Sequence, residues 1–462
     1  MKKQQTISPI DNSIYIEREY ASDAEVAEIL EKAVIAQKIW RKLSVDERIA
    51  YCEKAVDAFV ENKEAIGEEI TRQMGRPIRY AAGEVGGFEE RARYMMSVAN
   101  AKLADEAVEE KEGFKRFIRR EPLGVVFTVA PWNYPYLTAV NSIIPALVAG
   151  NTVILKHSAQ TPLCAERIAE AFQAAGLPEG VFQYLHASHD TVAHIIKQPE
   201  INYIAFTGSV AGGKAVEQAA TGLFKGVGLE LGGKDPAYVR ADADIDFCVE
   251  NIVDGVYFNS GQSCCGIERV YVHKDVFEPF VEGFKKLVNE YKLGDPMDEE
   301  STLGPMVRTN AANFVRDQIK DAIDKGATAL IDSKDFPADT GDSAYLAPQV
   351  LIDVNHTMRV MTEESFGPVI GIQSVESDEE ALKLMNDSEF GLTASVWTTD
   401  QDSALEIAND LETGTCFMNR CDYLDPALAW VGVKNSGRGC TLSSMGYENL
   451  TRPKSFHLRT DV

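Results

Sequence analysis

Two adjacent cysteines, Cys264 and Cys265, lie in the stretch "FNSGQSCCGIERVYV" at residues 258–272. A cysteine becomes a nucleophile where its pKa is lowered and its sulfur is accessible. No histidine neighbours the pair in the sequence, which disfavours a Cys–His protease. Either cysteine can also be interpreted as a small buried hydrophobic residue.

Two other stretches place polar side chains where apolar strand-like runs end. "VGLELGGKDP" puts Glu230 at such an end, where burial would raise its pKa and suit it to act as a general base. "APWNYP" puts Asn133 between Trp132 and Tyr134, where its amide could donate to an oxyanion. Each residue also has a simpler interpretation when taken alone. Glu230 could be a glutamate paired at a strand end, and Asn133 could be an asparagine that a turn favours.

A glycine-rich turn follows the apolar run "INYIAFTGSVAGGKAV". Gly208, Gly213 and Lys214 match the P-loop spacing, but Ala215 stands where Ser or Thr would hold Mg²⁺. The sequence contains no G-x-G-x-x-G, so a nucleotide triphosphatase is disfavoured. Two interpretations stay open: backbone N–H groups and Ser209 hold a pyrophosphate at a helix N-terminus, or the turn is structural.

Composition limits the classes of function. The 462 residues suggest two to four domains, and the formal net charge of −25 disfavours binding to nucleic acid or to an anionic membrane. We see no signal peptide and no apolar run of about 18 residues, so we expect a cytoplasmic protein. The eight cysteines form no C-x-x-C pair or zinc spacing, so we predict reduced thiols and no metal site.

The chain must also supply elements that position these residues. Apolar spacing predicts helices over 23–110, and "FKRFIRREP" predicts an exposed ribbon strand. Strand-like runs then alternate with helices of 10–15 residues, which indicates a parallel, doubly wound sheet. The alternation restarts near residue 244, which predicts a second α/β domain.

Together these stretches resemble the aldehyde dehydrogenase superfamily. The matching motifs cover roughly residues 20–455 and occur in the family's order: "PWNYP", "LKHSAQTP", "FTGSVAGG", "LELGGKDP", "FNSGQSC", "EESFGPV", "FGLTASV" and "GVKNSGRG". The pair "LELGGK" and "GQSC", about 30 residues apart, is the most specific of these.

The resemblance implies a mechanism and its residues. Cys264 would attack the carbonyl of an aldehyde substrate, and Asn133 with the Cys264 backbone N–H would hold the oxyanion. Hydride transfer to NAD or NADP would leave a thioester, and Glu230 would activate water to hydrolyse it. Cys265 is interpreted mainly as packing.

The resemblance also implies a set of cofactor-binding residues. Lys156 would bind the adenosine ribose, Ser209 and the Gly208 turn would face the pyrophosphate, and Glu364 would bind the nicotinamide ribose. The remaining expected residues lie near the cofactor: Trp132, Ser158 and Phe366.

The fold implied is α/β: a Rossmann-like cofactor-binding domain, an α/β catalytic domain and a small β-ribbon for oligomerisation. The expected bounds are 1–110 and 124–231 for the first, 232–430 for the second, and 111–123 with 448–462 for the ribbon. Ribbons of this family pair across subunits, and an unpaired sheet edge favours association, so we expect a homodimer or homotetramer.

The sequence departs from the family at several positions. Ala159 stands where the family often has Glu, which predicts tolerance of NADP, since no carboxylate would repel a 2′-phosphate. "AWVG" at 429–432 and the unusual "MNRCDYLDPALAW" lie near the expected aldehyde tunnel, so the substrate is not predicted. Arg420 is interpreted as a solvated loop cation rather than as a carboxylate ligand.

Two alternatives stay open beside hydrolytic oxidation. One is a CoA-acylating relative, which Glu230 disfavours because transfer to CoA needs no base for water. The other is a non-catalytic structural homologue, which the retained Cys264, Glu230 and Asn133 disfavour.

Overall fold

A computed structural model describes residues 2–462 and starts with a hairpin and a helical block. The elements of this first part are β1 (Lys3–Ile7), β2 (Ile14–Glu19), α1 (Asp23–Trp40), α2 (Val45–Val60), α3 (Lys63–Met74), α4 (Ile78–Ala81), α5 (Gly83–Leu103), β3 (Glu106–Ala107) and β4 (Phe114–Pro122). No helix of residues 2–462 is long and apolar enough to cross a membrane.

The helical block differs from the prediction of helices over 23–110 at its end, where α5 stops at Leu103 and β3 follows, and also after Ser44. The apolar spacing of "DERIAYCEKAVDAFVENKEAIGEEITRQMG" predicts one helix that ends at Gly75, but this run forms two helices, α2 and α3. Ser44 caps α2 in a capping box with Glu47, as its residue type favours. The break comes at Asn62, whose side-chain amide donates to the carbonyl of Ala58 and so competes with the helical backbone.

A parallel sheet with helices in its crossovers forms the next part. Its elements are β5 (Val125–Ala130), α6 (Pro135–Ala149), β6 (Thr152–His157), α7 (Pro162–Ala174), β7 (Phe182–Tyr184), α8 (His189–Lys197), β8 (Ile201–Thr207), α9 (Val210–Ala220) and β9 (Gly226–Glu230). The strand order is β9-β8-β5-β6-β7, all parallel, and the side chains of β5 and β6 are wholly buried. This is the doubly wound arrangement that the alternating pattern predicts.

A second sheet follows. Its part of the chain holds β10 (Asp235–Val239), α10 (Ile245–Tyr257), β11 (Ile267–His273), α11 (Phe277–Val288), α12 (Thr309–Asp324), β12 (Thr328–Ala329), β13 (Gln349–Ile352), α13 (Arg359–Thr362), β14 (Val369–Val375), α14 (Asp378–Asn386), β15 (Phe390–Gly391), β16 (Thr393–Trp397), α15 (Gln401–Asp410) and β17 (Thr415–Met418). Seven strands pair in the order β12-β13-β14-β11-β10-β16-β17, and only the β12–β13 pair is antiparallel.

The C-terminal part adds a strand to the first sheet, forms a small two-stranded sheet and completes a ribbon. It holds β18 (Val433–Lys434), which pairs with β15, β19 (Gly437–Arg438), which pairs with β9, and β20 (Thr451–Arg459). β20 runs antiparallel to β4 over its whole length, and the rings of Phe117 and Phe456 stack with centroids 4.5 Å apart. β3 pairs with the other edge of β4, outside the segments predicted for the ribbon. The outer edge of β20 has no partner strand in the described chain.

Candidate active site

The loop that carries Cys264 leaves the end of α10 through an unusual turn. Asn259, Ser260 and Gly261 have φ values of 54°, 57° and 69°, all in the left-handed region. Gly261 is required there, because a Cβ would lie 2.4 Å from the carbonyl oxygen of Gly367. The turn therefore holds the cysteine loop tightly against the segment that contains Glu364 and Phe366.

The predicted oxyanion ligand Asn133 lies beside this loop. Its Nδ2 donates to the carbonyl of Gln262 over 3.2 Å, and its side chain is 4% exposed. Arg76, which motif reasoning missed, fixes the arrangement: its guanidinium donates to the Asn133 carbonyl and, over 3.0 Å, to Asn259 Oδ1. Glu84 pairs with Arg76, so this buried guanidinium is neutralised locally.

Glu230 ends β9 at the boundary of the same site. Its Oε1 accepts from Thr441 Oγ1 over 2.5 Å and its Oε2 accepts from Thr207 Oγ1 over 3.3 Å. Burial raises the pKa of Glu230, while the Thr441 hydrogen bond opposes the rise. A partly buried carboxylate of this kind suits general-base chemistry near neutral pH.

Two connected cavities lie on one side of Cys264. The smaller, about 280 Å³, includes most of the predicted residues in its lining: Trp132, Asn133, Gly208, Ser209, Cys264, Glu364 and Phe366. The larger, about 630 Å³, continues over the start of α9 and adds Lys156 and Ser158. The two cavities share Trp132, Gly208 and Ser209, so they form one extended cleft.

The groups that line this cleft fit a dinucleotide. Lys156 is 7% exposed and makes no hydrogen bond or ion pair with any residue from 2 to 462, and burial lowers its pKa to about 8. Ser209 caps α9, and the N–H groups of the first turn of this helix can bind an anion. Arg308 also lines the cleft, although it is 152 residues from Lys156 in the chain. A ribose or phosphate group would satisfy these donors.

A buried network positions the residues expected at the nicotinamide end. Glu268 accepts from the backbone N–H groups of Ser365 and Phe366 over 2.7 and 2.8 Å, and pairs with Lys234 over 2.6 Å. Glu364 accepts from the Gly233 N–H over 3.0 Å. Phe366 lies edge-on to Trp132, with ring centroids 5.7 Å apart.

A third cavity, about 320 Å³, lies on the other side of Cys264 and also includes Glu230 and Asn141. Its walls come from α5, from α6 and from the loop after β17. Arg91 of α5 lines it, is 7% exposed, and donates through Nη1 to the Leu137 carbonyl and to Asn141 Oδ1. No carboxylate of the described residues forms an ion pair with Arg91. We call this cavity the aldehyde-side cavity.

Cys265 is 4% exposed and points away from the cofactor cleft. Its Sγ lies 3.0 Å from Asp422 Oδ1, to which it donates. The hydrogen bond with Cys264, and then burial, raise the pKa of the Cys265 thiol, so it is a poor nucleophile. Arg420, predicted to be a solvated cation, is exposed and lies over the ring of Tyr423 at 3.7 Å.

Comparison with known proteins agrees with this geometry. A model of the aldehyde dehydrogenase family matches residues 1–456. A protein of Escherichia coli strain K12 named succinate semialdehyde dehydrogenase Sad, with NAD(P)+ in its name, is 35% identical over 427 residues, 92% of each chain. A Streptococcus equinus protein named NADP-dependent glyceraldehyde-3-phosphate dehydrogenase is 36% identical, over 94% of this chain and 91% of its own.

Solved structures agree as well. The NADP complex of the NADP-dependent glyceraldehyde-3-phosphate dehydrogenase from Bacillus halodurans superposes with a TM-score of 0.94 at 33% identity, covering 100% of this chain and 96% of its own. The succinic semialdehyde dehydrogenase of Streptococcus pyogenes with NADP+ gives 0.94 at 30% identity, over 99% and 100% of the two chains. A thiol between two cavities, a carboxylate beside it and a match along nearly the whole chain make this protein a member of the aldehyde dehydrogenase family, an NAD(P)-dependent oxidoreductase that acts on aldehydes.

Proposed function

We propose that the protein oxidises a semialdehyde, an aldehyde with a carboxylate at its far end, to the acid by hydrolysis of a thioester on Cys264. The observation that carries the catalytic part is the position of Cys264, which lines both the cofactor cleft and the aldehyde-side cavity. A nucleophile at that junction can hold the aldehyde carbon within reach of a hydride acceptor in the cleft.

In this proposal the Cys264 thiolate attacks the carbonyl carbon, and the oxygen becomes negatively charged. The Asn133 amide and the Cys264 backbone N–H donate to it, and a single donor of this type contributes about 3 kcal/mol to transition-state stabilisation. The bound dinucleotide supplies the hydride acceptor, and its expected ligands are Lys156, Ser158, Ser209 and Glu364, with Trp132, Gly208 and Phe366 lining the cleft.

Glu230 then takes a proton from the water that attacks the thioester carbonyl, and the carboxylic acid leaves as the Cys264 thiolate re-forms. The placement of the Glu230 carboxylate beside the aldehyde-side cavity supports hydrolysis over transfer to CoA, which needs no such base. A structural role without catalysis would not require Arg76 to hold Asn133 against the cysteine loop.

The position of Arg91 supports the proposal that the substrate is a semialdehyde. The Arg91 guanidinium is 7% exposed and forms no ion pair with a carboxylate of the described residues, so it can pair with an anion that enters the cavity. It lies on the wall of the aldehyde-side cavity, so the carboxylate of a substrate held at Cys264 would meet it there. The names of the Escherichia coli and Streptococcus pyogenes relatives point to the same substrate class.

We also propose that the protein forms a homo-oligomer through its ribbon. β20 is nearly all exposed and leaves one edge unpaired, and such an edge pairs readily with another chain.

The expected domain bounds, 1–110 with 124–231, 232–430, and 111–123 with 448–462, remain predictions. A cytoplasmic location remains an expectation from the sequence.

The test measures NAD(P)H formation with two aldehydes of equal heavy-atom count, succinate semialdehyde and 4-methylpentanal, with and without CoA. The wild type is expected to favour succinate semialdehyde in kcat/KM without a requirement for CoA. Arg91→Met is expected to remove that preference while keeping turnover of 4-methylpentanal. Equal kcat/KM for the two substrates in the wild type would reject the semialdehyde, and dependence on CoA would reject hydrolysis.

A further inference from the structure

A polar side chain stands in the middle of the apolar helix α6. Asn141 is 2% exposed and lies in a helix that is buried over most of its length. It lines the aldehyde-side cavity together with Glu230 and Cys264. A buried amide destabilises the fold unless both of its polar atoms find partners. The reaction steps assigned to Cys264, Asn133 and Glu230 do not use this amide.

Only one of the two polar atoms of Asn141 has a partner within the chain. Its Oδ1 accepts a hydrogen bond from Arg91 Nη1 over 3.3 Å. Its Nδ2 is buried and has no hydrogen-bond partner among residues 2–462. Unpaired buried donors are rare in proteins, and ordered water or a ligand commonly supplies the missing acceptor. The Asn141 amide therefore points to a group that is not part of the chain.

The contact with Arg91 fixes the orientation of the Asn141 amide. A guanidinium only donates, so the amide atom that faces it must be the carbonyl oxygen. The amide nitrogen then lies on the side of Glu230. Burial raises the pKa of Glu230, and hydrogen bonding from Thr441, the charge of Arg91, and hydrogen bonding from Thr207 and Asn141 oppose the rise. The reversed amide would set two donors together at Arg91 and two acceptors together at Glu230.

Asn141 and Glu230 lie on the same cavity without a direct hydrogen bond between them. Polar groups that are close but beyond direct hydrogen-bond distance are often bridged by water. Glu230 Oε2 accepts a single hydrogen bond from residues 2–462, the 3.3 Å contact with Thr207, and it has a lone pair for a second. A water at this position would accept from Asn141 Nδ2 and donate to Glu230. The cavity, about 320 Å³, has room for it beside an acyl group.

We propose that Asn141 and Glu230 together hold the water that hydrolyses the thioester on Cys264. One lone pair of the water accepts from Asn141 Nδ2, and the other attacks the thioester carbonyl carbon. As the C–O bond forms, one water proton passes to Glu230. The C–S bond then breaks, Cys264 leaves as the thiolate, and the carboxylic acid is released. This inference rests on the proposed function, since it assigns a further residue to its hydrolytic step.

The experiment follows hydrolysis separately from hydride transfer. p-Nitrophenyl acetate transfers its acetyl group to Cys264 and releases p-nitrophenolate, so neither an aldehyde nor a dinucleotide is needed. Desalting removes the excess ester, and intact-mass spectrometry then follows loss of the acetyl group. Cys264→Ala measures the background from the other thiols.

Two variants of Asn141 remove the donor in different ways. Asn141→Leu keeps the approximate shape, while Asn141→Asp also keeps an acceptor for Arg91. Both are expected to form the acetyl–enzyme to the wild-type extent, which shows that the protein is folded. Both should lose the acetyl group to water about tenfold more slowly than the wild type, as expected for one lost hydrogen bond.

Two controls test whether the slow step is specific to water. Hydroxylamine attacks a thioester directly and gives a hydroxamic acid and the free thiol, without a base or a positioned water. It should release the acetyl group from the wild type and from both Asn141 variants at the same rate. Ser142→Ala is the matched control in α6, because Ser142 is 6% exposed and does not line the aldehyde-side cavity. Its acetyl–enzyme should be hydrolysed at the wild-type rate.

A pH series separates the holding of water from a change in the pKa of Glu230. The other titratable or charged groups that face Glu230 are Arg91, which stays charged, and Tyr203 and Cys440, whose pKa values burial raises. Cys264 carries the acetyl group during the measurement and does not titrate. The rate of hydrolysis therefore follows ionisation of Glu230 and reaches a plateau at high pH, where this carboxylate is fully ionised.

The plateau distinguishes the variants. Thr441→Val changes only the pKa of Glu230, so its rate should approach the wild-type rate on the plateau. Asn141→Leu should remain about tenfold slower there, because the water is still unheld when Glu230 is ionised. Full recovery of Asn141→Leu on the plateau would overturn the proposal, since Asn141 would then act only on the charge of Glu230.

Equal rates of hydrolysis for the wild type and both Asn141 variants at every pH would also overturn the proposal. Slow release by hydroxylamine in the variants would do the same, because the defect would then lie in access to the acyl group. Failure of the proposed function looks different: the wild-type acetyl–enzyme would be stable in water and would lose its acetyl group only to CoA.

Discussion

The amide of Asn133 donates to the carbonyl of Gln262, two residues before Cys264, over 3.2 Å. This contact joins the turn after β5 to the cysteine loop across 129 positions of sequence. One N–H of the amide is thereby fixed and the other remains for an oxyanion beside the thiol. In the proposed mechanism the second N–H would donate to the oxyanion from a position that is already fixed, which is the condition for effective oxyanion stabilisation.

Replacing Cys264 by alanine is expected to abolish aldehyde oxidation, because no other thiol lies at the junction of the two cavities. Cys265→Ala is expected to keep most of the turnover, since that thiol is buried and its pKa is raised. Initial rates of NAD(P)H formation check both. Normal turnover by Cys264→Ala would disprove the mechanism.

Glu230→Gln is expected to block hydrolysis of the thioester more than its formation. The variant should release a burst of roughly one NAD(P)H per active site and then turn over slowly, as an accumulating acyl–enzyme does. Stopped-flow absorbance measures the burst. A steady-state rate that equals the wild-type rate from pH 6 to pH 9 would reject Glu230 as the base.

Thr441→Val is expected to move the pH dependence of deacylation to higher pH. Glu230 must be ionised to accept a proton, and the hydrogen bond from Thr441 favours the ionised form, so its loss raises the pKa of Glu230. The rate should fall more at pH 6 than at pH 9. Thr207→Val removes a longer hydrogen bond to Glu230, of 3.3 Å, and should give a smaller shift in the pH profile of kcat. Equal profiles for the wild type and both valine variants would count against the role of Thr441 in tuning the pKa of Glu230.

The cofactor cleft is expected to accept NADP as well as NAD. Arg308 and Lys156 line the cleft and supply cations. Ala159, next to Ser158 in the chain, carries no carboxylate that could repel a 2′-phosphate. Ala159→Glu should lower kcat/KM for NADP by about tenfold or more, since one like-charge contact is worth about 1 kcal/mol at a partly solvated site. Arg308→Ala should lower the NADP to NAD ratio in the same direction. If neither variant changes the ratio of kcat/KM for NADP to kcat/KM for NAD, other residues determine the choice of cofactor.

Association through the ribbon can be tested with proline. Pro453 lies in β20 opposite Arg120 and has no N–H, so we infer that its nitrogen faces the outer edge. Ser455, two residues on, then presents its N–H to the same edge. Ser455→Pro should reduce the assembly to smaller species with the fold intact, while Phe456→Pro should also break the pairing with β4. Light scattering after size exclusion gives the mass, and an unchanged mass for Ser455→Pro would exclude this edge.

Sequence patterns predicted the alternating strands and helices, because apolar periodicity and glycine turns are local signals. The motifs also predicted residues that the fold brings to one cleft, such as Lys156 and Glu364. Patterns missed Arg76, Arg91 and Glu268. Arg76 lies in the short loop between α3 and α4, Arg91 inside α5 and Glu268 inside β11, and each acts on a partner far away in sequence. The contact between Arg76 and Asn259 spans 183 positions, which no local motif can encode.

The separate cavities on either side of Cys264 bear on the order of events in a catalytic cycle. A reduced dinucleotide in the cleft and an acyl group on the sulfur would occupy different entrances, so neither would block the other's exit. In the proposed mechanism the dinucleotide could therefore leave while the acyl group remained on Cys264, and water could then enter from the nicotinamide end of the cleft. Inhibitors directed at one entrance should accordingly be noncompetitive with the reactant that uses the other.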